Sequence, residues 1–107
     1  MRPRRRYRLR VESELSEATF GGLPSADLIE AGVADLERGV ESIEALLVSI
    51  GVPRLRQLGL RLPSPLSSSE RRLYELLAEE DPDAAHSRYN ALLRRLVSFE
   101  RAAERTS

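Results

Sequence analysis

Few side chains in this sequence could do covalent or metal chemistry. In 107 residues there is one histidine and no cysteine or tryptophan, which excludes disulfides, thiolate metal sites and cysteine nucleophiles. His86 is followed by Ser87, but adjacent helix positions point about 100° apart and cannot serve as base and nucleophile on one face. A carboxylate-bridged di-metal centre in a helical bundle needs two Glu-x-x-His motifs, which a single histidine cannot supply. Gly21 and Gly22 have neither a hydrophobic strand before them nor a lysine after them, so they do not form a phosphate-cradling loop. The expectation is a protein that is not an enzyme, with no cofactor, no metal and no small-molecule substrate.

One cluster keeps a binding chemistry. Arg2, Arg4, Arg5, Arg6, Arg8 and Arg10 surround Tyr7 without a single acid among residues 1–10. Guanidinium groups can neutralise phosphates while a tyrosine ring stacks on a base, so these residues are the candidate nucleic-acid contacts. The competing role is internal neutralisation. The formal net charge of zero conceals segments of alternating sign. Residues 11–50 carry nine acids against Arg38, and residues 51–72 carry five arginines against Glu70. Such segments can cancel one another in the fold or across a dimer. All 17 basic residues are arginine, a usage that genome composition or a hot habitat explains without invoking function.

Arg4, Arg5, Arg6, Tyr7 and Leu9 superficially match a twin-arginine export signal, yet Glu12, Glu14 and Glu17 follow where an apolar stretch is required. No apolar run approaches the ~18 residues that cross a bilayer. A cytoplasmic protein with no membrane partner is expected.

The elements that would position these residues read as helices. Ile29, Val33, Leu36, Val40, Ile43, Leu47 and Ile50 recur at steps of four and three, a heptad seam predicting one long helix from about Ser25 to Ile50. Its length would be roughly 38 Å. Ser25 is its expected N-cap and Asp27 favours its first turn. Gly51 and Pro53 are its expected stop. Gly32 and Gly39 fall one heptad apart on its edge, where each costs about 1 kcal/mol against alanine, which suggests a neighbouring backbone very close by. Glu30, Glu37 and Glu44 occupy the e positions.

Residues 51–66, with Pro53, Gly59, Pro63 and Pro65, read as a stiff connector. Ser67 and Glu70 have capping-box spacing and open a short helix to about Glu80, with Leu73, Leu76 and Leu77 inward. Asp81 and Pro82 start a last helix that runs to about Glu104. Ala85, Tyr89, Leu92, Leu96, Phe99 and Ala103 form its stripe, and Leu93 and Val97 widen it toward a second neighbour. Arg88 and Arg95 lie at its g positions, facing the seam glutamates if the two long helices run parallel. Before the helices, Tyr7, Leu9 and Val11 alternate with polar residues in the period of a strand.

The sequence therefore predicts an all-α, three-helix antiparallel bundle over residues 25–107, with long first, short middle and long last helices. An extended basic arm or strand and a loop over residues 1–24 precede it. The seven seam residues with Gly32 and Gly39 are the expected packing and oligomer surface, and a homodimer through the first helix is the expected assembly. The expected function is a small protein–protein interaction and oligomerisation module. An antitoxin-like nucleic-acid-binding regulator using the arm is the alternative.

Overall fold

A left-handed glycine divides the apolar seam in two. The computed structural model describes residues 20–106, and these form four helices, α1 (Ala26–Glu37), α2 (Ile43–Gln57), α3 (Ser69–Glu80) and α4 (Ala85–Thr106). The described residues are all helix, turn and irregular chain, with no strand. The arm expected over residues 1–10 and most of the loop lie outside the described residues.

The long first helix expected over residues 25–50 is instead α1 and the start of α2. Gly39 stands at φ +72°, the conformation that closes a helix and that glycine adopts without a Cβ penalty. The Val40 N–H reaches back to the Asp35 carbonyl at 2.9 Å, and the Gly39 N–H to the Leu36 carbonyl at 3.1 Å. That pair of bonds is the Schellman motif. Ser42 then restarts the helix. Its Oγ accepts from the Ala45 N–H at 3.0 Å and donates to Asp35 Oδ2 at 2.7 Å, tying the new N-terminus to the end of α1. Arg38 closes on the other oxygen of Asp35 at 2.6 Å.

α2 runs through both residues expected to stop it. Pro53 removes one N–H and so one helical bond, but its ring faces outward and exposed. Buried Val52 and Leu55 on the other side keep the chain helical, an instance of packing overriding local propensity. The stop comes at Gly59, φ +107°. There the Leu60 N–H meets the Leu55 carbonyl at 3.1 Å and the Gly59 N–H meets the Arg56 carbonyl at 3.0 Å, the same motif again. The proline-rich connector is accordingly residues 58–68 rather than 51–66.

α2 is the centre of the molecule, packed against α1, α3 and α4. Residues 45–49 are buried without interruption, as are Gly51, Val52 and Leu55. A helix apolar on all sides must be covered on all sides. Gly32 makes the α1 crossing possible, because a Cβ built there would collide with the Glu44 carbonyl and with Val48 Cγ2 of α2. Across Gly51 lies α4, where Leu96 Cδ1 stands 3.0 Å from where a Cβ would sit.

Beyond α2 the connector is pinned by polar contacts. Arg56 donates to the Leu62 and Pro63 carbonyls at 3.1 and 3.0 Å, and the buried Ser49 Oγ accepts the Leu66 N–H at 3.0 Å. The capping box expected at Ser67 and Glu70 does not form. Ser68, at φ 51°, is the N-cap and its side chain makes no cap bond. The Ser69 hydroxyl instead donates to the Leu66 carbonyl at 2.6 Å. Asp81, expected to cap the last helix with Pro82 as its first residue, instead closes α3 and turns the chain, accepting the Asp83 N–H at 3.2 Å, and α4 begins only at Ala85 after a turn over residues 82–84.

Candidate interaction surface

α4 is held by one stripe. Ala85, Leu96, Phe99 and Ala103 enter the core, with Tyr89, Leu92 and Leu93 packed at its margin. Phe99 meets Phe20 edge to face, centroids 6.1 Å apart, and Tyr89 meets Tyr74 of α3 in the same way at 5.6 Å; such pairs add specific geometry to burial. Polar contacts fix the flanks. Arg88 pairs with Glu80 at 2.7 Å, Arg95 Nε donates to Ser25 Oγ at 3.1 Å, and Arg54 of α2 pairs with Glu104 at 3.0 Å. Arg88 and Arg95 thus meet Glu80 and Ser25, not the seam glutamates. Ser25, the expected cap of α1, makes no cap bond and spends its hydroxyl on Arg95.

With the stripe turned inward, the opposite side of α4 faces solvent. Asn90, Leu93, Arg94, Val97, Ser98 and Arg101 line a shallow depression along it. Val97 is 40% exposed, one of three large apolar side chains so exposed among the described residues. The other two, Val40 and Tyr74, lie elsewhere: Val40 in the α1–α2 link and Tyr74 on α3. Leu93 is the half-buried neighbour that joins Val97 to the core. Arg94 and Arg101 are exposed beside it. Of Leu93 and Val97, expected to widen the stripe toward a second packed neighbour, Leu93 packs at the core margin, but Val97 is left exposed.

The predicted seam residues separate. Ile29, Val33 and Leu36 of α1 and Leu47 of α2 are buried within the one chain. Ile43 and Ile50 are partly buried against the same core. Val40, expected at the seam centre, is 41% exposed in the link because the helix ends before it. Gly32 sits at the α1–α2 crossing, whereas Gly39 has open space where a Cβ would go. Arg2, Arg4, Arg5, Arg6, Tyr7, Arg8 and Arg10 lie outside the described residues.

Two carboxyls show how differently the surface treats charge. Glu41 accepts two hydrogen bonds from Arg72, at 3.0 and 2.8 Å. Those bonds, with the arginine's charge, hold its carboxyl below the usual range against a smaller effect of burial. The bonds to Glu41 fasten α3 to the α1–α2 link, and Arg72 is held in place by Glu75 one turn along α3. Glu100 of α4 lies against Gly51 of α2, and burial pushes its carboxyl up, partly offset by Arg54. His86 is exposed, with Nε2 3.2 Å from Asn90 Nδ2. No group of three or more metal-binding side chains converges among the described residues, and none of their helices is long and apolar enough to cross a membrane. The chain matches no family model, no curated protein and no solved structure in the comparisons made.

Proposed function

We propose that this chain is a non-enzymatic helical module of the cytoplasm that binds protein, first of all a second copy of itself, through the outer face of α4. The observation that carries this reading is Val97, exposed on a 22-residue helix and continuous with Leu93, while the seam residues of α1 and α2 are spent inside the chain. An apolar centre with arginines at its margin is the composition of a binding patch. The patch is small. Burying a valine fully is worth about 1.5 kcal/mol, and association itself costs at least several kcal/mol, so the complex is weak and exchanging.

Light scattering over a range of concentrations tests the reading. The wild-type chain should show a concentration-dependent rise in mass, and Val97→Asp should remain a monomer with an unchanged melting temperature. Monomeric wild type up to millimolar concentration would refute self-association.

The charge of residues 1–10 favours a second reading, an antitoxin-like regulator that binds nucleic acid. If four to six of those arginines meet phosphates, the affinity for duplex DNA should fall with salt at a log–log slope of roughly 4 to 5. The absence of binding at about 50 mM salt would end this reading.

A further inference from the structure

α4 sorts its charges by side. It holds five arginines and two acids. Glu104 pairs with Arg54 of α2 at 3.0 Å, and Glu100 lies against Gly51 of the same helix, so both acids are turned to the α2 flank. Arg88 is spent on Glu80, and Arg95 reaches Ser25. Arg94, Arg101 and Arg105 are exposed, and their side chains make no ion pair or hydrogen bond among the described residues. At about 100° per residue these three fall within roughly 40° of one another, opposite the buried Leu96, Phe99 and Ala103. Asn90 and Ser98 lie about 20° to either side of them. The result is a polar cationic stripe, roughly 16 Å long from Arg94 to Arg105, with no acid on it. Leu93 and Val97 stand about 100° and 60° round from Arg94, both toward one edge, so a copy seated on them leaves the stripe open.

Three arginines spaced along a helix match a row of phosphates rather than a single anion, which would need donors converging on one point. A membrane surface fits poorly, because it needs the broad apolar face that α4 has already placed in the core. A helix open along one side fits the major groove of B-form DNA, about 12 Å wide, and not the narrow groove of A-form RNA. Arginine and asparagine also carry the donors that guanine and adenine edges accept there. We propose that Asn90, Arg94, Ser98, Arg101 and Arg105 form a DNA-binding face, with α4 lying in the major groove of a duplex. The inference goes beyond the arm reading, since the contact is on the folded body, and it does not need self-association.

Anisotropy of a labelled duplex of about 20 base pairs, titrated with the full-length chain from about 50 mM salt upward, tests the face. Arg94→Ala with Arg101→Ala and Arg105→Ala should weaken binding about ten-fold or more and lower the log–log salt slope by roughly 2 to 3. Its melting temperature should match the parent, because all three side chains are exposed. Arg38→Ala with Arg71→Ala removes two exposed arginines already paired with Asp35 and Glu75, and should leave affinity and slope unchanged. Equal loss in that control, or parental binding by the α4 variant, would overturn the proposal. Arg4→Ala with Arg5→Ala and Arg6→Ala separates the face from the arm. Binding lost there but kept in the α4 variant gives the DNA to the arm alone and overturns the face; loss in the α4 variant alone supports the face and ends the arm reading. Loss in both supports a shared footprint. No binding by the parent ends both. Binding to single-stranded DNA, duplex RNA, anionic phosphatidylserine vesicles or polyglutamate as tight as to the DNA duplex would also overturn the proposal.

Discussion

α2 and α4 both carry apolar residues through their whole length, yet one is enclosed and the other is half exposed. The difference lies in where the charges fall. α2 has Glu44 in its first turn and Arg54 and Arg56 in its last, leaving Ala45–Val52 free of charge, so its whole middle can be surrounded. α4 interleaves Arg88, Arg94, Arg95 and Arg101 with its stripe, and arginines at those positions keep one side in water. A central helix fixes the fold, whereas a helix of the second kind can fix one side and offer the other.

Substituting an acid on each helix gives the largest test of that contrast. Leu47 is fully buried in α2, and an unpaired carboxylate there costs several kcal/mol against a typical total of 5 to 15. Leu47→Asp should leave no cooperative melt by circular dichroism, while Val97→Asp melts like the parent. A Leu47→Asp protein with native helicity and a sharp transition would break the comparison.

The α1–α2 crossing comes next. Alanine at Gly32 gains helix propensity of up to about 1 kcal/mol, but the methyl meets the backbone of α2 at Glu44. Backbone cannot turn aside as a flexible side chain can. Overpacking near the upper end of about 1 to 3 kcal/mol should win, and Gly32→Ala should lower the unfolding free energy by roughly 2 kcal/mol, read as a lower denaturation midpoint. A raised midpoint would mean that the helices separate cheaply.

Glycine identity alone did not distinguish these roles in the sequence. Gly32 and Gly39 share a heptad position, yet the first lies within a helix at a close crossing and the second ends one. The seam spacing continues through the link because Ile29, Val33, Leu36 and Leu47 are buried in one core, with Ile43 at its margin, across a hairpin whose length happens to preserve steps of four and three. A single long helix and two packed antiparallel ones place the same residues inside. The discriminating signal was Ser42 three residues after Gly39, an N-cap following a C-terminal glycine. The all-helical class, the junction at Asp81 and the stripe of α4 were legible because each depends on local periodicity or capping. The continuation of α2 past Gly51 and Pro53 was not, since it is enforced by the burial of Val52 and Leu55 against other helices.

Gly39→Ala therefore carries a different and smaller expectation. Nothing crowds a Cβ at that position, so the cost is the left-handed backbone, about 1 kcal/mol for a residue with a side chain. The unfolding free energy should fall by about that amount, half the effect at Gly32, and the midpoint with it. A Gly39→Ala protein as stable as the parent would show that the link can close in another conformation.

The smallest effect is one of sign, and it belongs to the flank where α4 leans on α2. Glu100 is partly buried there, and its carboxyl titrates above the ordinary glutamate value of about 4.3. A group whose value is raised in the folded state contributes fully below its unfolded value and loses that contribution as pH rises through its folded one. Glu41 has the opposite shift, through its bonds to Arg72, so its contribution is present above the unfolded value and fades as pH falls through the folded one. Glu100→Gln should raise the melting temperature at pH 7 by only roughly 2 °C, since solvent still screens a partly buried carboxyl, and the gain should vanish by about pH 4. Glu41→Gln should lower the melting temperature at pH 7 and converge on the parent in acid. If Glu100→Gln melts lower than the parent at pH 7, the α2 flank welcomes the charge, and the exposed side of α4 begins closer to Gly51 than the packing of Leu96 implies.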